Sequence, residues 1–258
     1  MNTKELEKVK LLEELAFNTW PAHIQQKYEQ WVLRAANGIT KRANSVWTCG
    51  SIPRYTDWLQ DISEFYLQKA LPVRFQVSPG SDPLLEPLLQ SLGYVIEMPT
   101  LMYIAECDTV LEKLERNQSS TFQSSILEHA SEEWLENFIQ FEDFPMTREN
   151  IYRQIFSNIG PHKGFLQIND GSTIIGVGTA IVEREWAGFT NVAAAEDYRR
   201  QGVGSEIIRA LTQWSVDHGA KQLYLQVTAD NFPAQGLYEK FGFTRFYEYH
   251  YRSLTHQL

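Results

Sequence analysis

The sequence predicts an α+β fold with a mixed sheet, arranged as two successive halves over residues 1–118 and 122–258. Segments with apolar residues at helical spacing are interleaved with segments in which apolar and polar residues alternate, the pattern of half-buried strands. The stretch 116–125 contains one apolar residue, Phe122, and separates the two halves. A chain of 258 residues is also long enough for two modest domains.

The first half is expected to begin with an amphipathic helix, because Val9, Leu12 and Leu15 recur at helical spacing. Asn37-Gly38 is a turn signal between two segments rich in β-branched and aromatic residues, so those segments predict a hairpin. The expected elements, in order, are a helix over 5–17, strands over 29–35 and 42–48, a helix over 57–70, a strand over 73–77, a helix over 83–92 and a strand over 94–105.

The second half is expected to contain an antiparallel meander followed by a helix, a strand, a helix and a final strand. Gly219 and Gly242 follow the last two helical patterns and predict where those helices end. The expected elements are a strand over 122–128, helices over 131–141 and 147–157, strands over 164–168, 173–183 and 186–194, a helix over 202–218, a strand over 223–228, a helix over 231–241 and a strand over 243–251.

Composition and charge exclude several classes of protein. The chain carries 23 Lys and Arg against 32 Asp and Glu, a formal charge of −9, which disfavours nucleic acid as a partner. No apolar run is long enough to span a bilayer and no secretory leader pattern is present, so we expect a cytoplasmic protein without a membrane partner. Cys49 and Cys107 lack metal-ligand spacing, so we expect no metal and two reduced cysteines.

The segment 199–204, Arg-Arg-Gln-Gly-Val-Gly, lies between a predicted strand and a predicted helix. The first N–H groups of a helix lack intrahelical partners and carry partial positive charge, and glycine lets an anion approach them closely. Arg199 and Arg200 add charge, and Ser205 adds a hydroxyl donor. The segment therefore predicts a pyrophosphate site, with a Gly-rich turn and solvated arginines as the alternative.

These residues resemble the signature of the GNAT superfamily of acetyl-CoA-dependent N-acetyltransferases, in which Arg or Gln is followed by x-x-Gly-x-Gly/Ala. Arg199, Gly202 and Gly204 match it, and the resemblance continues through 231–234 and 237–243 to cover about 122–252. Glu196 is a departure, since many members have proline there. The resemblance implies the GNAT acyl-CoA N-acyltransferase fold and acetyl-CoA as cosubstrate. The first half, which lacks the motif but shares the element order, is expected to be a degenerate copy of the same fold.

The resemblance also implies which residues bind the cofactor. Two splayed strands would hold the pantetheine arm, with Val192, Ala193 and Ala194 offering backbone groups and the Ala194 N–H as oxyanion donor. Tyr238 would give its proton to the departing thiolate, whereas its alternative role is that of a core aromatic residue. The expected cofactor-binding residues are Val192, Ala193, Ala194, Arg199, Arg200, Gln201, Gly202, Val203, Gly204, Ser205, Asn231 and Ala234.

The general base is less well defined by the sequence. Glu183 and Glu185 flank the turn into the strand that ends at Ala194, and Glu142 and Asp143 lie in the loop between two helices. We rank Glu183 first, with a solvated turn carboxylate as the alternative for each.

The function expected from these residues is transfer of an acetyl group from acetyl-CoA to a primary amine of a small-molecule or amino-acid-like acceptor. The alternatives are a protein N-terminal acetyltransferase and a noncatalytic acyl-CoA-binding module. The segments 31–34 and 42–46 resemble the amino-terminal region of bacterial GNAT proteins in which such a half precedes the catalytic one. The resemblance implies that Arg42, Asn44 and Ser45 line the acceptor pocket or the interface between halves; the alternative is that they satisfy backbone groups at a strand end. A homodimer is left open by the sequence.

Overall fold

The computed structural model describes residues 1–116, 122–160 and 162–254. The chain forms two compact units, one of Met1–Leu101 with the chain from Tyr247 onward, the other of Met102–Phe246. Strands β5 (Val95–Glu106) and β11 (Thr244–Ser253) each run from one unit into the other. No helix in the described ranges is long and apolar enough to cross a membrane.

The first unit contains a sheet in the order β1-β2-β3-β4-β11-β5. Its core is aromatic, with Trp31, Trp58 and Phe75 in edge-to-face contact at centroid distances of 5.3 to 6.2 Å. Besides β5 and β11, its elements are α1 (Thr3–Asn18), β1 (Ile24–Tyr28), β2 (Trp31–Ala35), β3 (Val46–Trp47), α2 (Trp58–Leu67), β4 (Arg74–Val77) and α3 (Leu85–Ser91).

The predicted hairpin of the first half is present in part. Strands β2 and β3 pair antiparallel through Val32↔Trp47 and Leu33↔Val46. However, β3 is short, because the Asn44 side chain bonds the backbone of Ala36, Gly38 and Thr40 and folds the preceding residues into a loop. Strand β1 was not predicted, since its IQQKY sequence is polar and lies exposed at the sheet edge.

The second unit contains a sheet in the order β5-β10-β9-β8-β7-β6. Strands β6 to β9 pair antiparallel, and β9 pairs parallel with β10. Its elements are α4 (Cys107–Glu115), β6 (Gln123–Leu127), α5 (Glu132–Phe141), α6 (Glu149–Ser157), β7 (Lys163–Asp170), β8 (Thr173–Glu183), β9 (Trp186–Ala194), α7 (Val203–Asp217), β10 (Gln222–Thr228) and α8 (Phe232–Lys240).

The compact units do not coincide with the predicted halves 1–118 and 122–258. The end of β11 pairs with β4 in the first unit, from His250↔Val77 to Ser253↔Arg74, while Met102–Glu106 of β5 belongs to the second unit. Each half of the sequence thus gives part of its last strand to the other unit. Apolar periodicity marks a strand but does not identify its pairing partner, so the exchange could not be predicted.

Helix α7 packs closely on β8 in the second unit. A Cβ built on Gly176 would lie 2.6 Å from Val203 Cγ1, and one on Gly178 would lie 2.9 Å from Ile207 Cγ2. Two glycines on β8 therefore allow the first turns of α7 to lie against the sheet, which fixes the start of α7 near the end of β9.

Candidate active site

Strands β9 and β10 separate before they end. Their parallel pairing runs from Gln222↔Trp186 to Leu225↔Phe189 and stops there, although β9 continues through 190–194 and β10 through 226–228. A gap between parallel strands exposes backbone donors and acceptors to which an extended ligand can bind as an added strand.

Ala194 directs its backbone groups toward this gap. The pair Gly176↔Ala194 is followed by a hydrogen bond from the Ala195 N–H to the Ile175 carbonyl at 2.9 Å. In an antiparallel ladder, successive residues direct their N–H and C=O groups to opposite sides, so those of Ala194 point away from β8. The Ala193 side chain is buried, so this segment can interact with a ligand mainly through its backbone.

The start of α7 leaves its N–H groups accessible to an anion. Gly202 is the N-cap, with a left-handed φ of +92° and no side-chain cap, so Val203, Gly204 and Ser205 contribute N–H groups to an uncapped first turn. Nothing lies within 4 Å of a Cβ built on Gly202.

At position 204, glycine is required by helix packing. A Cβ at that position would lie 2.9 Å from Leu237 Cδ2, so this glycine allows α7 and α8 to pack closely. The Val203 side chain is buried, and Val203 can therefore contribute to a ligand site through its backbone.

Arg199 and Arg200 have different surroundings, although the sequence predicts the same role for both. The Arg199 guanidinium donates to the carbonyls of Ala194 and Phe141, both at 3.4 Å, and links the end of β9 to the end of α5. Arg200 is exposed, with a left-handed φ of +63°. Gln201 donates its side-chain amide to the Asp197 carbonyl at 2.5 Å. The expected phosphate contact of Arg199 therefore has to compete with two carbonyl partners, a feature that the motif does not reveal.

Tyr238 lies on α8 with 7% of its surface exposed. Burial raises the pKa of its phenol well above the ordinary value, and the charge of Glu142 raises it further. Glu142, at the end of α5, is exposed at the surface, yet enough protein surrounds its carboxyl group that desolvation raises its pKa, while Arg199 opposes this shift. The Tyr238 phenol is therefore protonated at neutral pH.

Asn231 caps α8. Its Oδ1 accepts the Ala234 N–H at 3.2 Å. The expected contact of Asn231 and Ala234 with pantetheine stays a prediction.

Glu183, the candidate general base, lies far along the sheet from Ala194. It pairs with Trp186 at one end of the β8–β9 ladder, whereas Val177↔Ala193 lies near the other end. Six residues of strand separate these pairs, about 20 Å at the usual rise per residue. Glu183 instead forms an ion pair with Arg184 beside the hairpin turn. Its proximity to β9 in the sequence was misleading, because an antiparallel hairpin brings Glu183 to the start of β9 and not to its end.

The polar residues singled out in the first half form contacts within their own unit. Asn44 is fully buried and satisfies loop backbone groups, which is the second of its two expected roles. Ser45 Oγ accepts a hydrogen bond from Arg34, and the Arg42 guanidinium lies 5.2 Å from the centroid of the Trp20 ring. No group of three or more potential metal ligands occurs among the described residues.

Solved structures share this fold. A GCN5-related N-acetyltransferase from Kribbella flavida has a TM-score of 0.71 at 14% identity, with 97% of this chain and 95% of that chain covered. A tandem GNAT protein from the clavulanic acid biosynthesis pathway has a TM-score of 0.64 at 11% identity, covering 81% of this chain and 74% of that chain. Together with the separated strands and the uncapped start of α7, these similarities show that the chain has the GNAT fold.

Sequence comparison extends this class over nearly the whole chain. A family described as "Probable histone acetyltransferase Rv0428c C-terminal" matches residues 7–252. "Uncharacterized N-acetyltransferase YobR" of Bacillus subtilis (strain 168) is 34% identical over 247 residues, which are 96% of this chain and 99% of that protein. The chain belongs to this family, and it is a GNAT-type N-acetyltransferase that uses acetyl-CoA.

Proposed function

We propose that the protein transfers the acetyl group of acetyl-CoA directly to a primary amine of a small-molecule or amino-acid-like acceptor. The observation that carries the proposal is the juxtaposition in one unit of a strand gap, to which Ala194 directs its backbone, with a helix start that can receive an anion. The acidic balance of the chain favours a cationic acceptor.

In this proposal the backbone N–H groups of α7, from Val203 to Ser205, bind the pyrophosphate of the cosubstrate. The open surroundings of Gly202 support this assignment, since a side chain there would occupy the approach to those N–H groups. Arg200, which is exposed beside Gly202, adds positive charge. Val192 and Ala194 hold the pantetheine arm and the acetyl carbonyl through their backbone groups.

The chemical step forms a C–N bond between the amine and the acetyl carbon and breaks the C–S bond of the thioester. The Ala194 N–H stabilises the negative charge that develops on the carbonyl oxygen. Tyr238 donates its phenolic proton to the departing sulfur; the phenol is protonated at neutral pH, and its raised pKa makes it a weaker acid than an exposed tyrosine. The amine attacks in its neutral form and then loses a proton to solvent, and Tyr238 regains a proton from solvent, so that the reaction is balanced.

A protein acceptor is the second candidate, because the family's description names a probable histone acetyltransferase. The noncatalytic alternative is not retained, since a relative covered over nearly its full length is named an uncharacterized N-acetyltransferase.

The test is to incubate the purified protein with acetyl-CoA and, separately, polyamines, amino acids, aminoglycosides and lysine-rich peptides, while following thiol release and acetylated product by mass spectrometry. Acetylation of a small amine at a higher kcat/KM than any peptide is expected. Preference for the peptides would support the second candidate, and binding of acetyl-CoA without transfer to any amine would refute both.

A further inference from the structure

Strand β9 contains a bulge at the point where it leaves β10. Val177 pairs with Ala193 and Thr179 with Thr190, so Asn191 and Val192 of β9 lie opposite the single residue Gly178 of β8. The last pair with β10 involves Phe189, two residues before the bulge. The bulge therefore lies between the paired part of β9 and the backbone groups that face the gap.

Asn191 adopts the conformation that creates this bulge. Its φ is +57°, in the left-handed region where a bulge of this kind usually has glycine. Asparagine is one of the few residues with a side chain that enters this region readily. No local pattern in the strand sequence marks Asn191, so its role was not predicted.

The Asn191 side chain is attached to the sheet by its amide group. Nδ2 donates to Thr179 Oγ1 at 3.1 Å and to Thr190 Oγ1 at 3.2 Å. Thr179 is fully buried, and the neighbouring Gly178 lies directly under Ile207 and Leu211 of α7. The bulge is thus connected to the part of β8 that α7 holds in place.

We propose that Asn191 is a positioning residue for acetyl transfer. Its amide, bonded to Thr179, fixes the bulge and so sets the direction of the Val192 and Ala194 N–H groups toward the thioester carbonyl. This inference rests on the proposed function, in which those N–H groups bind the acetyl carbonyl. Asn191 acts through the backbone and does not itself contact the reacting atoms.

The first experiment measures the thioester carbonyl directly and does not depend on the acceptor. Acetyl-CoA labelled with ¹³C at the carbonyl is bound to the wild type and to Thr179→Val, Thr179→Ser and Asn191→Gly, and its chemical shift is recorded. Thr179→Val keeps the shape of the side chain but removes the oxygen that accepts the Asn191 amide, whereas Thr179→Ser keeps that oxygen. Asn191→Gly keeps the left-handed backbone and removes the amide.

We expect a downfield displacement of the carbonyl signal in the wild type and in Thr179→Ser, and a displacement reduced by at least about half in Thr179→Val and Asn191→Gly. With an acceptor from the panel, kcat should fall about ten- to hundredfold in the last two variants, while the Kd of acetyl-CoA changes by less than about threefold. This split between kcat and Kd, with recovery by serine, is not expected from a merely structural role.

If Thr179→Val keeps both the wild-type displacement of the carbonyl signal and the wild-type kcat, the inference is overturned. This outcome is decisive even if Asn191→Gly fails to fold. An equal loss in Thr179→Ser and Thr179→Val would overturn it as well, because the hydroxyl would then be irrelevant. Absence of any displacement in the wild type would instead count against the carbonyl contact in the proposed function.

Discussion

At the scale of the residue, Arg199 and Arg200 show how two neighbouring arginines of one motif acquire different roles. Arg199 is bonded to the carbonyls of Ala194 and Phe141, and Arg200 is exposed beside Gly202. Both arginines are exposed, but a charged group already bonded to carbonyls adds less to phosphate affinity, because it must first give up those bonds.

We therefore predict that Arg200→Ala raises the Kd of acetyl-CoA about two- to fivefold, an effect that weakens with added salt. Arg199→Ala should leave that Kd nearly unchanged and lower kcat/KM for the acceptor, because the end of α5 loses its link to β9. Calorimetric titration and steady-state kinetics of both variants check this. A larger loss of affinity in Arg199→Ala than in Arg200→Ala would instead support the contact between Arg199 and phosphate that the motif implies.

Tyr238→Phe tests the proton donor. Removal of the phenolic hydroxyl should lower kcat at least about tenfold, because the thiolate then departs without an acid, while the Kd of acetyl-CoA is retained. The matched control is Tyr103→Phe. The Tyr103 hydroxyl donates at 2.8 Å to Glu239, which follows Tyr238 on α8. Turnover of Tyr103→Phe should stay within about twofold of wild type. An unchanged rate in Tyr238→Phe would leave Tyr238 as a core aromatic residue.

At the scale of the element, the start of α7 combines two glycines with separate tasks. Gly202 lies in the left-handed region in open surroundings, and Gly204 lies against Leu237. Within three residues, the motif thus contains one glycine that keeps the helix start open and one that allows α7 and α8 to pack closely.

Gly202→Ala should raise the Kd of acetyl-CoA at least about tenfold, because the left-handed turn is strained and a Cβ obstructs the approach to the N–H groups. Gly204→Val should chiefly lower the melting temperature, because it forces α7 away from α8. The added change Leu237→Ala should recover part of that loss. Thermal unfolding and titration with acetyl-CoA separate the two effects. If both variants lost the same affinity for acetyl-CoA and Gly204→Val kept its melting temperature, the two glycines would not have separate tasks.

At the scale of the whole molecule, the first unit depends on the last strand of the chain. The Tyr247 hydroxyl donates to buried Glu13 at 2.8 Å, and Arg252 donates to the Tyr94 carbonyl at 2.6 Å and forms an ion pair with Glu86. Burial raises the pKa of Glu13, and its hydrogen bond to Tyr247 opposes that shift. Loss of β11 would therefore remove one of the hydrogen bonds of buried Glu13, which keeps its bond from Gln76, and the bond from Arg252 to the Tyr94 carbonyl.

A chain of residues 1–118 alone is accordingly expected to show no cooperative unfolding, whereas 1–118 joined through a flexible linker to 244–254 should regain it. Far-UV circular dichroism during thermal denaturation makes the comparison. A cooperative transition of 1–118 by itself would show that the predicted half is a domain in its own right.

The sequence alone was sufficient for most elements, for the glycine-bearing start of α7 and for the class of enzyme, because helical periodicity, turn residues and a phosphate motif are local features. Tertiary structure decided that β11 pairs with β4, that Glu183 lies beside the start of β9 and not its end, that Arg199 binds carbonyls and that Asn191 shapes the bulge. Each of these outcomes depends on which distant segment a strand or side chain meets. Those contacts are determined by the packing of the whole sheet, and a local sequence pattern does not predict them.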